Sequence, residues 1–170
     1  MEKDIIGVIV ETLKEKNIDL VVTLPEEPTC PLTDQIRQDP YFTVVTVSGE
    51  GHGISLCAGA SLGGRNCVFI TGIAGLLVGG WALAQMGVLY GIPVFILASY
   101  RGDISDRSGI SGDQLHMFYQ VGEPLLNALK VPYRVADQKQ GFKRKLVDAY
   151  SACQGFGTPL VLLLTGDVLW

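Results

Sequence analysis

The chain has 170 residues, 17 acidic and 13 basic side chains, and a formal net charge of −4 at pH 7. This length suits one domain, residues 1–170, with a core that needs neither disulfides nor a structural metal. A negative chain offers no basic field for nucleic acid, so nucleic-acid binding is excluded as a first hypothesis. The four cysteines contain no C-x-x-C pair, which argues against zinc and favours reduced thiols in a cytoplasmic protein.

Helical and strand-like segments alternate along the chain. Apolar residues at helical spacing predict a first helix over residues 4–16. The predicted strands that follow are IDLVVTLP, YFTVVTVS, NCVFITG, PVFILAS, YRVA and PLVLLLT, and the predicted helices cover 51–62, 76–90, 124–129 and 142–153. Continuous apolar strands are typical of sheets covered on both faces. We therefore predict an α/β fold, a three-layer α/β/α sandwich with a mostly parallel six-stranded sheet.

One long segment could be mistaken for a membrane span. No charged residue occurs between Arg65 and Arg101, and this stretch is strongly apolar. Glycines interrupt it repeatedly, and YGIP at residues 90–93 is typical of a helix end followed by a strand. A buried strand, helix and strand explain the segment better, and we expect no contact with a membrane.

Ligands of parallel α/β sheets bind at the carboxyl ends of the strands, where this chain has the glycine turn SGEGHG at residues 48–53. Its G-x-G-x-G spacing fails the dinucleotide fingerprint, and a carboxylate in the turn would repel a phosphate. The structural alternative is a tight turn in which Glu50 is an acid favoured by the helix dipole.

The continuation of this turn, EGHGISLCAGASLGG, resembles the pyrimidine-binding (PYR) domain of thiamine-diphosphate enzymes. More narrowly, the chain is similar over nearly its whole length to sulfopyruvate decarboxylase α subunits and to the matching half of phosphonopyruvate decarboxylase. The residues that carry the resemblance are Glu50, Gly51, Gly53, Ile54, Ala58, Gly59, Ala60, Leu62 and Gly63, followed by GIPVFILASYRGD at 91–103 and DQLH at 113–116.

The resemblance gives the carboxyl group of Glu50 a catalytic role. In this family a glutamate exchanges a proton with the pyrimidine ring of thiamine diphosphate, which activates the cofactor. A partly dry site would raise the pKa of such a carboxyl, whereas the helix terminus would lower it, and the sequence leaves both open.

The resemblance also implies roles for residues at the other strand ends. It implies that Glu50 and His116 are catalytic, and that the cofactor-binding residues are Pro25, Glu50, Thr71, Gly72 and Ile73. Candidates for the substrate are Thr29, Arg101 and Gln114, with Arg107 a further anion contact. Residues 24–33 are predicted to form an extended loop stiffened by prolines, in which Glu26 and Glu27 face water. The structural alternative for Arg101 is a weak surface ion pair with Asp103 or Asp106.

The second half of such enzymes has no counterpart in this sequence. Family members bind the diphosphate through Mg²⁺ held by a Gly-Asp-Gly motif and a downstream asparagine, whereas TGDVLW at 165–170 lacks the second glycine and the asparagine. The resemblance therefore implies no metal on this chain, Mg²⁺ on a partner β subunit, and an α/β hetero-oligomer.

The implied reaction is decarboxylation of a small anionic 2-oxo acid, with 3-sulfopyruvate preferred. A phosphonopyruvate decarboxylase-like subunit or another thiamine-dependent subunit is the first alternative. A noncatalytic interaction or regulatory domain of a larger thiamine-dependent complex is the alternative of another class.

Overall fold

The computed structural model describes residues 1, 3–107 and 112–170. Its helices are α1 (Lys3–Glu15), α2 (Cys30–Gln38), α3 (Glu50–Leu62), α4 (Ile73–Val78), α5 (Gly80–Ala84), α6 (Gly112–Ala128), α7 (Phe142–Phe156) and α8 (Gly166–Leu169). Its strands are β1 (Leu20–Thr23), β2 (Thr43–Thr46), β3 (Cys67–Gly72), β4 (Phe95–Ser99), β5 (Tyr133–Ala136) and β6 (Leu160–Leu164).

The six strands form one parallel sheet in the order β2-β1-β3-β4-β6-β5. Side chains that alternate along a strand enter two separate cores, as Leu162 and Leu163 of β6 do. Helices α1, α2, α7 and α8 cover one face, and α3, α4, α5 and α6 cover the other. The predicted α/β/α sandwich with a parallel six-stranded sheet is therefore confirmed. Strand β2 was predicted to be covered on both faces, but it lies at the edge of the sheet and is only partly buried.

The prediction of an extended loop over residues 24–33 was wrong. Residues Glu27–Thr29 form a 3-10 turn that leads directly into α2. Both Pro28 and Pro31 stand in first turns, where a missing backbone N–H costs nothing because that group has no partner inside the helix. Pro28 and Pro31 therefore stand at the starts of helical turns and not in an extended loop.

Two other helices differ in extent from the prediction. The helix predicted over 76–90 begins at Ile73 and is broken into α4, α5 and a π-helical turn at Gln85–Leu89. Helix α6 begins well before the predicted 124–129 and contains Pro124 in its interior. Residues 108–111 of the predicted polar loop lie outside the described residues. Within the described part of the chain, each helix is too short or too polar to cross a membrane.

The strand order reverses beside β1, since β2 follows on one side of β1 and β3 on the other. In open α/β sheets such a reversal opens a crevice at the carboxyl ends of the strands. The segments that meet at this edge follow β1, β2, β3 and β4 directly. The fold therefore brings the loop after Thr23, the start of α3 at Glu50, the turn at Gly72 and the end of β4 at Ser99 to one rim.

Candidate functional site

Glu50 is the first residue of α3 and follows Gly49, whose backbone is extended. The helix begins here because the apolar strand β2 ends at Thr46 and small residues follow. Glu50 is partly buried, and within residues 1, 3–107 and 112–170 its carboxyl group makes no hydrogen bond and no ion pair. A carboxyl at a helix N-terminus, partly withdrawn from water and without a protein partner, is available for a ligand.

Gly75 of α4 allows the Glu50 side chain to lie close against α4. A Cβ atom at Gly75 would stand 2.6 Å from Glu50 Cγ, 2.9 Å from Glu50 Oε1 and 2.6 Å from Thr71 Oγ1. Real Cβ atoms do not approach other atoms this closely, so only glycine fits. The absent side chain lets the Glu50 carboxyl lie beside the Thr71 hydroxyl at the end of β3. The β3–α4 turn thus forms one wall of the site.

Replacing Gly75 by alanine is expected to destabilise the chain, although glycine-to-alanine changes inside helices usually stabilise by roughly 0.5–1 kcal/mol. The added methyl group would overlap Glu50 and Thr71, and such overpacking costs about 1–3 kcal/mol. The free energy of unfolding in urea measures the difference. Gly59→Ala in α3 is the matched control, because Gly59 is exposed with open space around its Cβ position. Equal stabilisation of the two variants would contradict the close packing.

Glu26 faces inward, which corrects the prediction that it faces water. Its Oε2 accepts a 2.5 Å hydrogen bond from the Ser99 hydroxyl at the end of β4. A Cβ at Gly72 would stand 3.0 Å from the Glu26 carboxyl carbon, so the side chain lies across the end of β3. Its neighbour Glu27 does face water. Two carboxyl groups, Glu26 and Glu50, therefore flank the turn from Gly72 to Gly75.

Glu26 was expected to face water because a carboxylate would repel an anionic substrate. The surroundings of Glu26 weaken that repulsion. Burial raises the pKa of the Glu26 carboxyl, and the Ser99 hydrogen bond and the positive charge of Arg101 only partly oppose that rise. A carboxyl that keeps its proton to higher pH repels an anion less than a carboxylate would. The sequence analysis did not name Glu26 or Ser99 as candidate site residues. Their positions could have indicated them, because Glu26 follows β1 closely and Ser99 is the last residue of β4.

The predicted cofactor residues lie along the same rim. Pro25 is exposed just before Glu26, and Thr71 and Gly72 end β3. Ile73 is fully buried and packs against Gly122 of α6, so its side chain belongs to the core and only its backbone borders the site. The structure therefore brings Pro25, Thr71 and Gly72 together with Glu50.

The predicted substrate residue Thr29 has another contact. Its side chain is fully buried, and its hydroxyl donates a 3.0 Å hydrogen bond to the carbonyl oxygen of Glu26. That bond closes the 3-10 turn and fixes the backbone at Glu26. Thr29 is placed to support the position of Glu26.

Arg101 pairs with Glu27, whereas the structural alternative named Asp103 or Asp106 as its partner. Its guanidinium Nη1 lies 3.3 Å from Glu27 Oε2, and its Cζ lies 5.9 Å from the centre of the Trp170 ring. The Arg101 Nε is buried without a hydrogen-bond partner among the described residues. A buried N–H group without a hydrogen-bond partner costs free energy. Arg101 thus keeps one N–H group available beside Glu26.

His116 lies on α6, exposed to solvent, at the end of a row of aromatic rings. Its ring stacks on Tyr119 at 5.5 Å, and Tyr119 stacks on Tyr100 at 6.3 Å. Tyr100 directly follows β4, and its hydroxyl donates to Glu123. The row therefore connects His116 to the strand end that carries Ser99. Gln114 is exposed two residues earlier in α6, and Arg107 pairs with Asp167 at 2.7 Å.

No protein-family model matches the chain. Its sequence is 26% identical over 156 residues to "Sulfopyruvate decarboxylase subunit alpha" of Methanococcus maripaludis, a match that spans 92% of this chain and 91% of that protein. The protein of the same name from Methanocaldococcus jannaschii is 25% identical over 79% of this chain and 78% of its own length. A "Sulfopyruvate decarboxylase" of Methanosarcina acetivorans is 33% identical over 55% of this chain, but only 24% of that protein is matched.

The fold is similar to a solved structure, the thiamine diphosphate-dependent 4-hydroxybenzoylformate decarboxylase of Rhodococcus jostii RHA1. The two superpose with a TM-score of 0.75 at 18% sequence identity. The superposition spans 97% of this chain and 30% of the Rhodococcus chain, so this chain corresponds to less than a third of that enzyme. We conclude that the chain is a homologue of sulfopyruvate decarboxylase α subunits and has the PYR-type fold of thiamine-diphosphate-dependent decarboxylases.

Proposed function

We propose that this chain is the α subunit of a thiamine-diphosphate-dependent decarboxylase that converts 3-sulfopyruvate to sulfoacetaldehyde and CO₂. The observation that carries the proposal is the position of Glu50, which begins α3 beside Gly75 with no bonding partner in the described part of the chain. Homology to α subunits of that name supports the substrate.

The residues around Glu50 fit one end of a planar heterocyclic cofactor. The bare backbone at Gly72 and Gly75 leaves room for a ring to approach the end of β3. Glu50 Oε1 lies at this wall, where it can hold a proton and exchange it with a ring nitrogen. When bound, thiamine diphosphate supplies a nucleophilic carbon and accepts the electron pair released with CO₂. Glu50, Pro25 and Thr71 are the residues of this chain that would hold its pyrimidine end.

A partner β subunit would hold the diphosphate and Mg²⁺. Asp167, the acid of the C-terminal TGDVLW string, is paired with Arg107 and lies in the four-residue helix α8. The α-subunit relatives carry a subunit designation, which supports assembly with a second chain. The catalytic site would then lie between two polypeptides.

We propose that this partner docks on an apolar surface beside Glu50. We define the α4–α5 apolar surface by Val78, Trp81, Val88 and Leu89, whose relative exposures are 74%, 75%, 68% and 65%. Trp81, Val88 and Leu89 line one apolar groove, and exposed apolar patches often mark interaction sites. A Cβ at Gly79, between Val78 and Trp81, would stand 3.5 Å from Glu50 Cβ, so the surface adjoins the acid. A β subunit seated here would close the site over Glu50.

Glu26 and Arg101 are the residues best placed to meet the substrate. Arg101 offers a buried guanidinium N–H without a partner among the described residues, which suits a sulfonate or carboxylate oxygen. Glu26, with its raised pKa, can donate a proton where a carboxylate could only accept one. His116, on the exposed side of the aromatic row, is a second candidate proton donor.

The test is turnover by the purified chain, by a β subunit that carries the Gly-Asp-Gly motif, and by the two together, with thiamine diphosphate and Mg²⁺. We expect release of CO₂ from 3-sulfopyruvate only by the mixture. Decarboxylation by the chain alone would overturn the two-subunit proposal. Preference for 3-phosphonopyruvate would overturn the substrate, and full activity of the β subunit alone would favour a regulatory role.

A further inference from the structure

Two of the cysteines, Cys57 of α3 and Cys67 at the start of β3, lie against each other. Their sulfur atoms are 2.7 Å apart, within hydrogen-bond contact, and both side chains are at least nine-tenths buried. Both are free thiols. By contrast, Cys153 lies apart from them in the other core, where its thiol donates to the carbonyl oxygen of Thr158. The proposed reaction uses neither Cys57 nor Cys67, so their pairing calls for another explanation.

A crevice connects this pair to solvent. Its volume is about 190 Å³, and it is lined by both cysteines, by Arg65 and Asn66 before β3, and by Ser61 and Gly64 at the end of α3. Cys67 retains 8% exposure, whereas Cys57 retains 1%. A small reagent that enters the crevice therefore meets Cys67 first.

The guanidinium of Arg65 stands at this crevice in a fixed position. It makes two hydrogen bonds to the Asp19 carboxylate, at 3.0 and 3.1 Å, and a third to the Thr43 hydroxyl. The hydrogen bonds to Asp19 are the main cause of the raised pKa of Arg65, so this residue stays charged at the crevice. The entrance of the crevice is therefore polar, which suits a small water-soluble reagent.

We propose that Cys57 and Cys67 form a reversible dithiol site that closes to a disulfide by exchange with a small-molecule disulfide. The Cys67 thiolate attacks one sulfur of the reagent, which breaks the reagent's S–S bond and expels one thiolate. Cys57 then attacks the Cys67 sulfur, forms the protein disulfide and expels the second thiolate. The two cysteine protons leave on the two expelled thiolates, and the two electrons reduce one molecule of reagent.

The order of attack follows from the surroundings of the two sulfurs. Burial raises the pKa of the Cys57 thiol well above its usual value, and contact with Cys67 adds to the effect. Cys57 is also the less accessible of the two, with 1% exposure against 8% for Cys67, so it acts as the resolving thiol. Formation of the bond brings sulfurs that are 2.7 Å apart to about 2.05 Å, a small movement for a packed core.

Closure of this site would tie α3 to β3, the two elements that present Glu50 and Thr71 at their other ends. The bond closes a short loop between Cys57 and Cys67, which removes conformational freedom from the unfolded chain. We therefore expect the oxidised chain to melt at a higher temperature than the reduced chain, by roughly 5 °C or more. Cytosolic disulfides are usually redox-sensing, which suits a site that reduction reopens.

The experiment treats the folded full-length chain with bis(2-hydroxyethyl) disulfide, alkylates it under denaturing conditions, and measures intact and peptide masses. We expect a mass loss of two hydrogen atoms, two fewer alkylated cysteines, and a peptide pair that joins Cys57 to Cys67. Excess dithiothreitol should restore all four thiols. Persistence of all four thiols in the folded chain would overturn the proposal, as would a bridge that involves Cys153 or Cys30.

Three single variants make the test specific. Cys153→Ser, the matched buried control, should still form the disulfide at the wild-type rate. Cys57→Ser should stop at a mixed disulfide on Cys67, while Cys67→Ser should react at least tenfold more slowly than the wild type. Circular dichroism establishes that each variant is folded. Equal reaction of Cys67→Ser and the wild type would contradict the assignment of Cys67 as the attacking thiol.

Discussion

Replacing Glu50 by glutamine is expected to lower turnover of the assembled enzyme by roughly 10²–10⁴-fold, the usual contribution of a positioned acid or base. Glutamine preserves the size of the side chain beside Gly75 and Thr71, so the wall of the site should remain intact. It cannot exchange a proton at the position of Oε1. Steady-state decarboxylation of 3-sulfopyruvate measures the effect, and binding of the β subunit should be unchanged.

The matched control is Asp4→Asn, which removes an acid from the first turn of α1. A helix-dipole role predicts that the two variants lose similar amounts of stability, roughly 0.3–1 kcal/mol, with little change in turnover. A catalytic role predicts that only Glu50→Gln loses activity. Full activity of Glu50→Gln would therefore refute the catalytic assignment and leave Glu50 as a helix-terminal acid.

A glutamate in place of Trp81 is expected to weaken association with the β subunit by about 30-fold or more, since tryptophans at the centre of interfaces commonly contribute about 2 kcal/mol or more. Trp81 is 75% exposed on the α4–α5 apolar surface, so the isolated chain should keep its thermal stability. Analytical ultracentrifugation of the mixed subunits measures the dissociation constant, and turnover at low subunit concentration should fall in parallel.

Tyr41→Glu is the control for this change. Tyr41 is also an exposed aromatic residue, at 39%, but it precedes β2 at the amino end of the sheet and packs on Phe42. Its replacement should leave association with the β subunit unchanged. If the two variants bind the β subunit equally well, the partner docks on another surface and the position proposed for it must be abandoned.

The parts of the site that follow from local sequence were predictable. The glycine turn after an apolar strand places Glu50 at a strand end, and the resemblance of EGHGISLCAGASLGG to pyrimidine-binding domains implied its role. The end of the next apolar run places Thr71 and Gly72 at the same edge, and the resemblance implied that they bind the cofactor. The parallel sheet followed from strands without polar alternation.

The parts that depend on distant contacts were not predictable. The Glu26 side chain was predicted to face water, but it accepts a hydrogen bond from Ser99, which lies 73 residues further along the chain. The structural alternative for Arg101 named a neighbouring aspartate, but its partner Glu27 lies 74 residues away. Helix α2 was missed because prolines have opposite meanings in a loop and in the first turn of a helix. No spacing in one sequence records these contacts.

The adjacency of Glu50 to the α4–α5 apolar surface gives the proposed enzyme a dependence on concentration. A catalytic acid that becomes sheltered only when a second polypeptide covers it contributes nothing in the dissociated subunit. The number of active sites therefore depends on the concentration of the two subunits. Dilution below the dissociation constant would abolish catalysis without unfolding either chain. The expression ratio of the two subunits would then set the cellular rate as directly as substrate supply does.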